Sequence, residues 1–376
     1  MRFLFVGTHP ENTGAATHFV ALAQALVESG HDVDAILRPD TLIWQGLAYS
    51  GVRCRPGFFR NALDPRGYAT VRRQIAEARP DWIVGNFGKE YWPLVLIGRA
   101  LGIPVALFRH RTPPMKRLSA LLLPRLASRF FAVSQHARQA YLDRGIPAQR
   151  VQVLYNPVNA SLFRPDADAG AAMRASLGIP DDAIVLGYVG RMHTGKGVFP
   201  LLEAASAAMR REPRLYCLWV GDGPDAARLQ ALAAADTGVG SRHRFAGWNN
   251  HTADYFRSLS MLAFPSIATE TFGRVSIEAQ ACGVPVLASD IGGVPETLAD
   301  GESGRLLPPG DVAAWCEAIL ALCNDATRQH MGSTAREFVL QHFATHVIAR
   351  EFVVQLQPAA AGQASAGLDR LGATSG

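Results

Sequence analysis

Short apolar runs alternate along this chain with longer segments in which apolar residues recur at helical spacing. The short runs predict buried strands, and the longer segments predict helices. Strands separated by helices are typical of βαβ units, so the pattern predicts an α/β fold with a parallel sheet in each half of the chain. The predicted strands are Arg2–Val6, Asp32–Leu37, Trp82–Val84, Val105–Phe108 and Phe130–Val133, followed by Ile184–Val189, Leu215–Val220, His243–Ala246, Met261–Phe264 and Pro285–Ser289.

Helical spacing is clearest at Ala15–Glu28 and Thr70–Ala78 in the first half. In the second half, helices are expected to begin near Phe199, Asp225, Arg274 and Asp311. The stretch 156–170 is rich in Pro, Asn and Asp, as a linker between two domains would be.

We therefore expect a Rossmann-like domain over residues 1–165 and a second one over residues 166–344. A helix around residues 345–357 is expected to complete the first domain, and the low-complexity tail 358–376 is expected to be disordered. Two open parallel sheets bind ligands at the carboxyl ends of their strands. The cleft between the two domains is the predicted site.

Composition narrows the class of protein. Hydrophobic residues make up 48% of the 376 and charged residues 18%, which is ordinary globular composition. No apolar run reaches the roughly 18–20 residues that a membrane-spanning helix needs, and the start of the chain lacks the features of a signal peptide. The five cysteines form no Cys-x-x-Cys pair, which argues against a zinc site and a disulfide framework. We expect a cytoplasmic protein.

Charge is distributed unevenly between the halves. Residues 1–165 carry 21 Lys and Arg against 10 Asp and Glu, or +11, whereas residues 166–376 carry 16 against 22, or −6. This asymmetry indicates that the first half faces an anionic partner such as membrane headgroups, nucleic acid or a phosphorylated glycan. The alternative is that the arginines lie on solvated helix faces.

Candidate chemistry is concentrated in the segment 268–290. The polar loop Thr269–Gly273 directly precedes a predicted helix, so its backbone N–H groups and the helix N-terminus suit a phosphate. Glu270 and Glu278 flank this turn and could bind hydroxyls at both ends of a sugar nucleotide. Taken alone, the segment is more typical of a capped helix with a surface glutamate.

A second segment, 187–197, carries two cations on a glycine-rich loop that follows a predicted strand. Arg191 can contact a phosphate with two N–H groups and Lys196 can act as a point charge, so the pair suits a diphosphate. The loop lacks the Walker A spacing, and no Gly-x-Gly-x-x-Gly follows the first strand. The latter argues against a nicotinamide or flavin dehydrogenase.

Together these segments resemble glycosyltransferase family 4, a large family of retaining enzymes with the GT-B fold. The resemblance covers about residues 1–345 and rests on a set of short motifs. They are Glu270 and Glu278 of the Glu-x7-Glu motif, Cys282-Gly-Val-Pro-Val286, Gly190-Arg191, Lys196-Gly197, Gly221-Asp-Gly-Pro224, Gly292-Gly-Val-Pro-Glu296, Asp300-Gly-Glu-Ser-Gly304, Gly30-His-Asp-Val33 and Val133-Ser134. The fold that this implies is GT-B, two Rossmann-like parallel-sheet domains facing across a cleft.

The resemblance also implies roles for residues on the donor side. Arg191 and Lys196 would hold the donor diphosphate and stabilise the leaving nucleotide, Glu278 would bind the ribose, and Glu270 would contact the transferred sugar. Backbone contacts to the sugar and phosphate are implied for the loop and for the start of the first helix, at Thr271, Phe272, Gly273 and Gly14.

Histidines and arginines of the first domain complete the implied site. His110 would lie near the transferred sugar, although a lone histidine can equally be a core residue. His18, Arg109 and Arg111 are weaker candidates for the acceptor side.

The implied reaction moves a sugar from a UDP- or GDP-linked donor onto a hydroxyl of a bacterial envelope glycan or glycolipid, such as a lipopolysaccharide core. No Asp-x-Asp lies where it could chelate a diphosphate, so we expect no metal and no cofactor. The departing phosphate oxygen would help to deprotonate the acceptor, with Glu270 as a covalent nucleophile the rival mechanism. A sugar-nucleotide epimerase or hydrolase of the same fold stays open, as does a non-catalytic nucleotide- or glycan-binding relative.

The basic and apolar stretch 105–129 bears on where in the cell the protein acts. It holds six Lys and Arg and no acid, beside Leu118 and Leu121–Leu123. Such a surface predicts peripheral binding at the inner face of an anionic cytoplasmic membrane. The alternative is that the leucines are core and the arginines bind acceptor phosphates. We expect no nucleic-acid partner.

Overall fold

The computed structural model describes residues 1–8, 14–111, 115–249 and 252–357. Within these ranges it contains two parallel sheets, of seven and six strands, one in each half of the chain. The tail that was expected to be disordered, 358–376, lies outside the described residues.

The first sheet is fully parallel. Its strands are β1 (Arg2–Gly7), β2 (Asp32–Leu37), β3 (Arg53–Pro56), β4 (Trp82–Gly85), β5 (Val105–Arg109), β6 (Arg129–Ala132) and β7 (Gln152–Val153). They are hydrogen-bonded in the order β3-β2-β1-β4-β5-β6-β7. The predicted strands all form, within one residue at either end. The pattern missed β3 because Arg53 and Arg55 interrupt any apolar run, and it missed β7 because that strand has only two residues.

Six helices from the first half of the chain flank this sheet within the described ranges. They are α1 (Gly14–Glu28), α2 (Leu42–Leu47), α3 (Pro65–Ala78), α4 (Tyr91–Leu101), α5 (Arg117–Leu126) and α6 (Gln135–Leu142). Local sequence sets the start of α3, because Asp64 accepts a hydrogen bond from the Arg66 N–H and Pro65 takes the first helical position. Two apolar cores cover the faces of the sheet, one beneath α1 and the other beneath α3 to α6.

The second sheet repeats the topology of the first. Its strands are β8 (Ile184–Val189), β9 (Leu215–Val220), β10 (His243–Gly247), β11 (Met261–Phe264), β12 (Val286–Ser289) and β13 (Gly304–Leu307), in the order β10-β9-β8-β11-β12-β13. The helices after the linker are α7 (Ala167–Ser176), α8 (Val198–Arg211), α9 (Ala226–Ala235), α10 (Thr252–Ser258), α11 (Arg274–Ala281), α12 (Val312–Ala321), α13 (Asp325–His342) and α14 (Thr345–Leu356).

The last helix returns to the first sheet. Phe352 of α14 lies 5.5 Å, between ring centroids, from Phe108 and also from Phe131. The chain therefore crosses between the two sheets twice, and the two crossings are hydrogen-bonded to each other. The Val158 N–H donates to the Phe343 carbonyl at 2.8 Å, and the Thr345 N–H donates to the Val158 carbonyl at 3.2 Å.

In each sheet, successive strands are added toward one edge and then toward the other. The change of direction falls between β1 and β4 in the first sheet and between β8 and β11 in the second. Loops leave such a pair in opposite directions and open a crevice at the carboxyl ends of the strands. Thr8 and Asn86 follow β1 and β4 closely, and Gly190 and Pro265 follow β8 and β11. The two crevices therefore hold the segments that the sequence singled out.

Candidate active site in the interdomain cleft

The loop before α11 joins the two halves of the molecule. The Ser134 hydroxyl, from the first half, donates to the carbonyl oxygen of Thr271 at 2.6 Å. Close by, the backbone N–H groups of Gln135 and His136 donate to the carboxylate of Glu296 at 2.6 and 2.8 Å. A side chain of the second half thus caps the N-terminus of α6 in the first. These bonds place the loop at the cleft.

Glycines allow this loop to lie against its neighbours. A Cβ at Gly292 would lie 2.2 Å from the Glu270 carbonyl oxygen, and one at Gly293 would lie 2.3 Å from that of Thr271. The Gly293 N–H donates to the Glu270 carbonyl at 2.9 Å. Only residues without a side chain permit this approach, which explains the Gly-Gly pair as support for the loop.

Glu270 and Lys196 form an ion pair at the start of α11. The Lys196 Nζ contacts Glu270 Oε1, and the Ser266 hydroxyl donates to the same oxygen at 2.6 Å. Lys196 is 37% exposed and Glu270 is 18% exposed, so the lysine faces the open cleft while the carboxylate is held behind it. The sequence predicted both residues, and the structure brings them together.

Glu278 is buried one helical turn beyond Arg274, and the two form a second ion pair at 2.5 Å. Burial raises the pKa of Glu278, and the Arg274 guanidinium opposes this rise. The same guanidinium reaches across the cleft, with Arg274 Nη1 at 3.4 Å from the Gly14 carbonyl oxygen. Arg274 was not predicted as a site residue, although its spacing of four from Glu278 is that of a helical ion pair.

Arg191 lines a separate part of the cleft. Together with glycines of the loops after β8 and β9 and with Trp248, it surrounds a cavity of about 490 Å³. A cavity of this size lies within the roughly 300–1,000 Å³ range of small-molecule sites. Arg191 is exposed, and its carbonyl accepts a hydrogen bond from Tyr188 at 2.8 Å.

Two histidines of the first half lie edge to face near Arg274. The ring centroids of His110, just after β5, and His18, in α1, are 4.6 Å apart. Burial, with the charges of Arg274 and Arg109, lowers the pKa of His110 to about 3. Burial also holds the pKa of His18 well below its usual range, with further contributions from His110 and Arg274. Both rings are therefore neutral at physiological pH.

Two acceptor-side predictions do not fit the geometry. His18 is 1% exposed and lies against His110 and Phe108, so it presents no surface to an acceptor. Its position on the apolar face of α1 explains this burial. Arg109 lies beside the hydroxyls of Tyr91 and Tyr141, on the opposite face of the sheet from His110, because side chains alternate along a strand.

Comparison with known proteins places this cleft in a family. Residues 171–338 match the family model described as glycosyl transferases group 1, and residues 12–162 match the model described as glycosyltransferase family 4. The D-inositol 3-phosphate glycosyltransferase of Streptomyces scabiei is 34% identical over 361 residues, which cover 83% of this chain and 79% of that protein. The chain belongs to the family 4 glycosyltransferases.

Other relatives with the same name match over less of their length. The D-inositol 3-phosphate glycosyltransferase 1 of Catenulispora acidiphila is 33% identical over 70% of this chain and 66% of its own length. The Kribbella flavida protein is 33% identical over 60% of this chain and 55% of its own length. The chain thus spans less than two thirds of these relatives.

Solved structures confirm that this family 4 member has the predicted GT-B fold of two parallel-sheet domains. The Anabaena protein Alr3699/HepE, in complex with UDP and glucose, matches with a TM-score of 0.78 at 22% identity, covering 95% of this chain and 99% of that one. A Rickettsia africae glycosyltransferase matches with a TM-score of 0.81 at 19% identity, covering 94% and 97%. The lipopolysaccharide outer core galactosyltransferase WaaB matches with a TM-score of 0.69 at 19% identity, covering 94% and 98%.

The remaining residues that were predicted for the donor side lie along the same cleft. Phe272 is 3% exposed and stacks on Tyr155 at 5.7 Å, so its side chain anchors the loop. Gly273, with φ of 135°, takes a conformation that favours glycine directly before α11. A Cβ at Gly14 would lie 3.6 Å from Arg274 Cδ, which is an ordinary contact, so the described residues do not themselves require glycine there. Arg111 is exposed.

The described residues offer neither a metal-binding cluster nor a membrane-spanning helix. Among the described residues, no three His, Cys, Asp or Glu side chains lie together as a possible metal-binding group. In the same part of the chain, no helix combines the length and apolar character needed to cross a bilayer. Independence from metal therefore stays a prediction.

Proposed function

We propose that this chain transfers a sugar from a nucleotide diphosphate sugar to a hydroxyl acceptor, with retention of anomeric configuration and without a metal. The observation that supports this most is the Lys196–Glu270 ion pair at the N-terminus of α11, inside the cleft of a family 4 glycosyltransferase. A cation, a carboxylate and the positive end of a helix meet there, which is what a charged donor with a polyhydroxylated sugar requires.

Each donor group has a partner in this arrangement. Lys196 and Arg191 take the diphosphate, so that Lys196 exchanges its contact with Glu270 for one with phosphate. Glu270 then accepts hydrogen bonds from hydroxyls of the transferred sugar, and Glu278, whose charge Arg274 balances, accepts them from the ribose. The cavity beside Arg191 and Trp248 receives the base.

The reaction takes place on one face of the sugar. The bond between the anomeric carbon and the phosphate oxygen breaks, and a bond from that carbon to the acceptor oxygen forms on the same side. The acceptor proton passes to the departing phosphate oxygen, whose charge Lys196, Arg191 and the N-terminus of α11 stabilise. Both hydrogen bonds from described side chains to the Glu270 carboxylate use Oε1, which leaves Oε2 to accept a hydrogen bond from the sugar.

The donor is best sought among UDP-linked sugars, because the HepE neighbour was solved with UDP and with UDP-glucose. For the acceptor, the relatives' name, D-inositol 3-phosphate glycosyltransferase, favours a small phosphorylated cyclitol over the lipopolysaccharide core that the sequence suggested. The +11 charge of residues 1–165 supports an anionic acceptor. A cavity of about 630 Å³, whose lining includes Arg60, Arg66 and Asp64, is a candidate position for it.

The direct test incubates the protein with UDP-, GDP- or ADP-glucose and either inositol phosphate or a lipopolysaccharide core fragment. Mass spectrometry detects the product, and the anomeric coupling constant in its NMR spectrum reports retention or inversion. Conversion of the donor without an acceptor would support an epimerase or hydrolase instead. Binding without turnover would support the non-catalytic alternative, and thermal shift detects it because a ligand at 100 times its Kd stabilises by about 2.7 kcal/mol.

We also propose action in the cytoplasm, supported by the five free cysteines, with peripheral binding to an anionic membrane through a small patch. That patch consists of Lys116, Arg117, Leu118 and Leu121, with the two leucines 65% and 43% exposed. It is smaller than the sequence suggested, because Leu123 is buried and Arg125 and Arg129 donate to backbone carbonyls. Salt-sensitive co-sedimentation with anionic but not neutral vesicles, lost in Lys116→Glu/Arg117→Glu, tests it; no sedimentation with either contradicts it.

A further inference from the structure

A buried amide lies directly behind His110. Asn86 follows β4, is 3% exposed, and lies between the first turn of α1 and the end of β5. Its Nδ2 donates to the Ala15 carbonyl at 2.7 Å, and its Oδ1 lies 3.1 Å from His110 Nε2. The Tyr91 hydroxyl donates to the Phe108 carbonyl and also lies 3.3 Å from the Asn86 carbonyl, so one side chain joins the backbone after β4 to β5.

These contacts leave one orientation for the amide. A backbone carbonyl only accepts hydrogen bonds, so Ala15 requires the NH₂ end of Asn86. The oxygen end therefore faces His110 and can only accept, which requires the proton of the imidazole to be on Nε2. Nδ1 of a neutral His110 then carries a lone pair.

Asn156 is a second buried amide beside His110. It is 4% exposed, and its side chain lies within hydrogen-bonding range of the ring. With the proton on Nε2, His110 Nδ1 can only accept, so its partner is an N–H or O–H donor, either the NH₂ end of Asn156 or a hydroxyl in the cleft.

We propose that Asn86 is a positioning residue that holds His110 as the Nε2–H tautomer, so that Nδ1 accepts a hydrogen bond from a sugar hydroxyl in the cleft. The hydroxyl rests on the proposed function, whereas the tautomer does not. His110 remains neutral because burial, and then the charges of Arg274 and Arg109, lower its pKa. It therefore orients the hydroxyl and donates no proton to it.

The tautomer can be measured without any reaction. Protein labelled with ¹⁵N-histidine gives long-range ¹H–¹⁵N spectra in which the protonated ring nitrogen is identified, and the His110 signals are assigned by their loss in His110→Gln. We expect Nε2–H at pH 7 in the wild type. Asn86→Leu should change the His110 pattern toward Nδ1–H. Asn86→Asp keeps an acceptor for Nε2, so the Nε2–H signal should remain, although its carboxylate also favours a second proton on Nδ1.

His243 provides an internal control in the same spectra. Trp219 Nε1 donates to His243 Nδ1 at 3.2 Å, and an indole N–H can only donate, so His243 is also Nε2–H. Its Nε2 lies 3.2 Å from the Ser206 hydroxyl. No Asn86 variant should change the His243 signals, and a change would show that the fold rather than the local contact was altered.

Activity gives a second readout once a donor is known. Asn86→Leu should lower kcat about tenfold with a smaller change in donor KM, as loss of one transition-state hydrogen bond does. Asn86→Asp should recover part of kcat. Nδ1–H in the wild type, or an unchanged His110 pattern in both Asn86→Leu and Asn86→Ala, overturns the inference. If no donor is turned over, the proposed function fails while the spectra still decide the tautomer.

Discussion

Ser134 and Thr271 are 137 positions apart in the chain, yet the serine hydroxyl donates to the threonine carbonyl at 2.6 Å across the cleft. Thr271 directly follows Glu270, so this bond fixes the donor loop to the first domain. Ser134 also accepts the Ala137 N–H at 3.0 Å as the N-cap of α6. One hydroxyl thus sets the start of a helix in one domain and the position of a loop in the other.

Removing the two cations of the donor site should reduce turnover while leaving the fold intact. Lys196→Ala and Arg191→Ala should each lower kcat/KM about 10²-fold or more, because each removes a preorganised charge from the leaving diphosphate. Steady-state kinetics with the identified donor measures this. Arg305→Ala, an exposed arginine on β13, is the matched control. Near-wild-type kinetics for Lys196→Ala would show that the diphosphate lies elsewhere.

The two glutamates should differ in the kinetic constant that they affect. Glu270→Gln should lower kcat more than it raises the donor KM, because its contacts are to the sugar that is transferred. Glu278→Gln should mainly raise the donor KM, because the ribose does not change during the reaction. Initial rates over a range of donor concentrations separate these effects. The opposite pattern would mean that the two roles are exchanged.

The largely buried Arg274–Glu278 ion pair should affect the free energy of unfolding more than an exposed helical ion pair does. Arg274→Met leaves the carboxylate of Glu278 buried without a counter-charge, which typically costs about 3–5 kcal/mol in free energy of unfolding. The double variant Arg274→Met/Glu278→Gln should recover most of this loss, since no buried charge remains. Urea unfolding of the wild type, the two single variants Arg274→Met and Glu278→Gln, and the double variant completes a double-mutant cycle. Equal destabilisation of the single and the double variant would show that packing, not charge, is responsible.

The burial of Glu90 predicts that the free energy of unfolding depends on pH. It is fully buried, with Oε1 accepting from the Thr8 N–H at 2.6 Å and from its hydroxyl at 2.5 Å, and burial raises the pKa of Glu90 to about 8. The folded state binds this proton more tightly than the unfolded state, whose pKa is near 4.5. Its contribution to stability is therefore complete below about pH 4.5 and is lost as the pH rises through 8.

Glu90→Gln keeps the acceptor for Thr8 and removes the titration. The variant should match the wild type in free energy of unfolding at pH 4.5 and exceed it at pH 8.5, by an amount on the order of a few kcal/mol at most. Urea unfolding at both values measures the difference, with the exposed Glu302→Gln as control. A difference that is constant with pH would mean that Glu90 titrates normally.

Chelation should leave activity unchanged. If Lys196, Arg191 and the α11 N-terminus alone balance the diphosphate, then extensive treatment with EDTA followed by assay in metal-free buffer should preserve kcat. Strong inhibition that added Mg²⁺ or Mn²⁺ reverses would overturn the metal-free mechanism.

Local signals explain what the sequence predicted well. Every strand with an uninterrupted apolar run, such as Ile184–Val189, forms at the predicted place. Glu270 and Lys196 were predicted because each lies on a loop between a strand and a helix, and adjacent strands of one sheet bring such loops together. The same reasoning could have identified Arg274, whose spacing from Glu278 is local.

Contacts between distant segments explain why the role of Asn86 was not predicted. Asn86 has no motif around it, and its role comes from meeting Ala15 and His110, which lie 71 and 24 positions away. His18 is the opposite case, a residue that was predicted for the acceptor side but is buried in the core. Its neighbour Phe19 and the following Leu22 are fully buried on the same helix, so the apolar face of α1 already indicated a core position.

The return of α14 to the first sheet makes the second domain an insertion within the first. Both ends of the inserted part meet at one place, where Val158 pairs with Ala344. A rotation that opens the cleft must turn about this paired segment, since no other backbone connects the domains. A chain that ended before Thr345 would lack α14 and would therefore lose part of the core of its first domain. Phe3 and Phe108, which pack against Phe352, would become exposed.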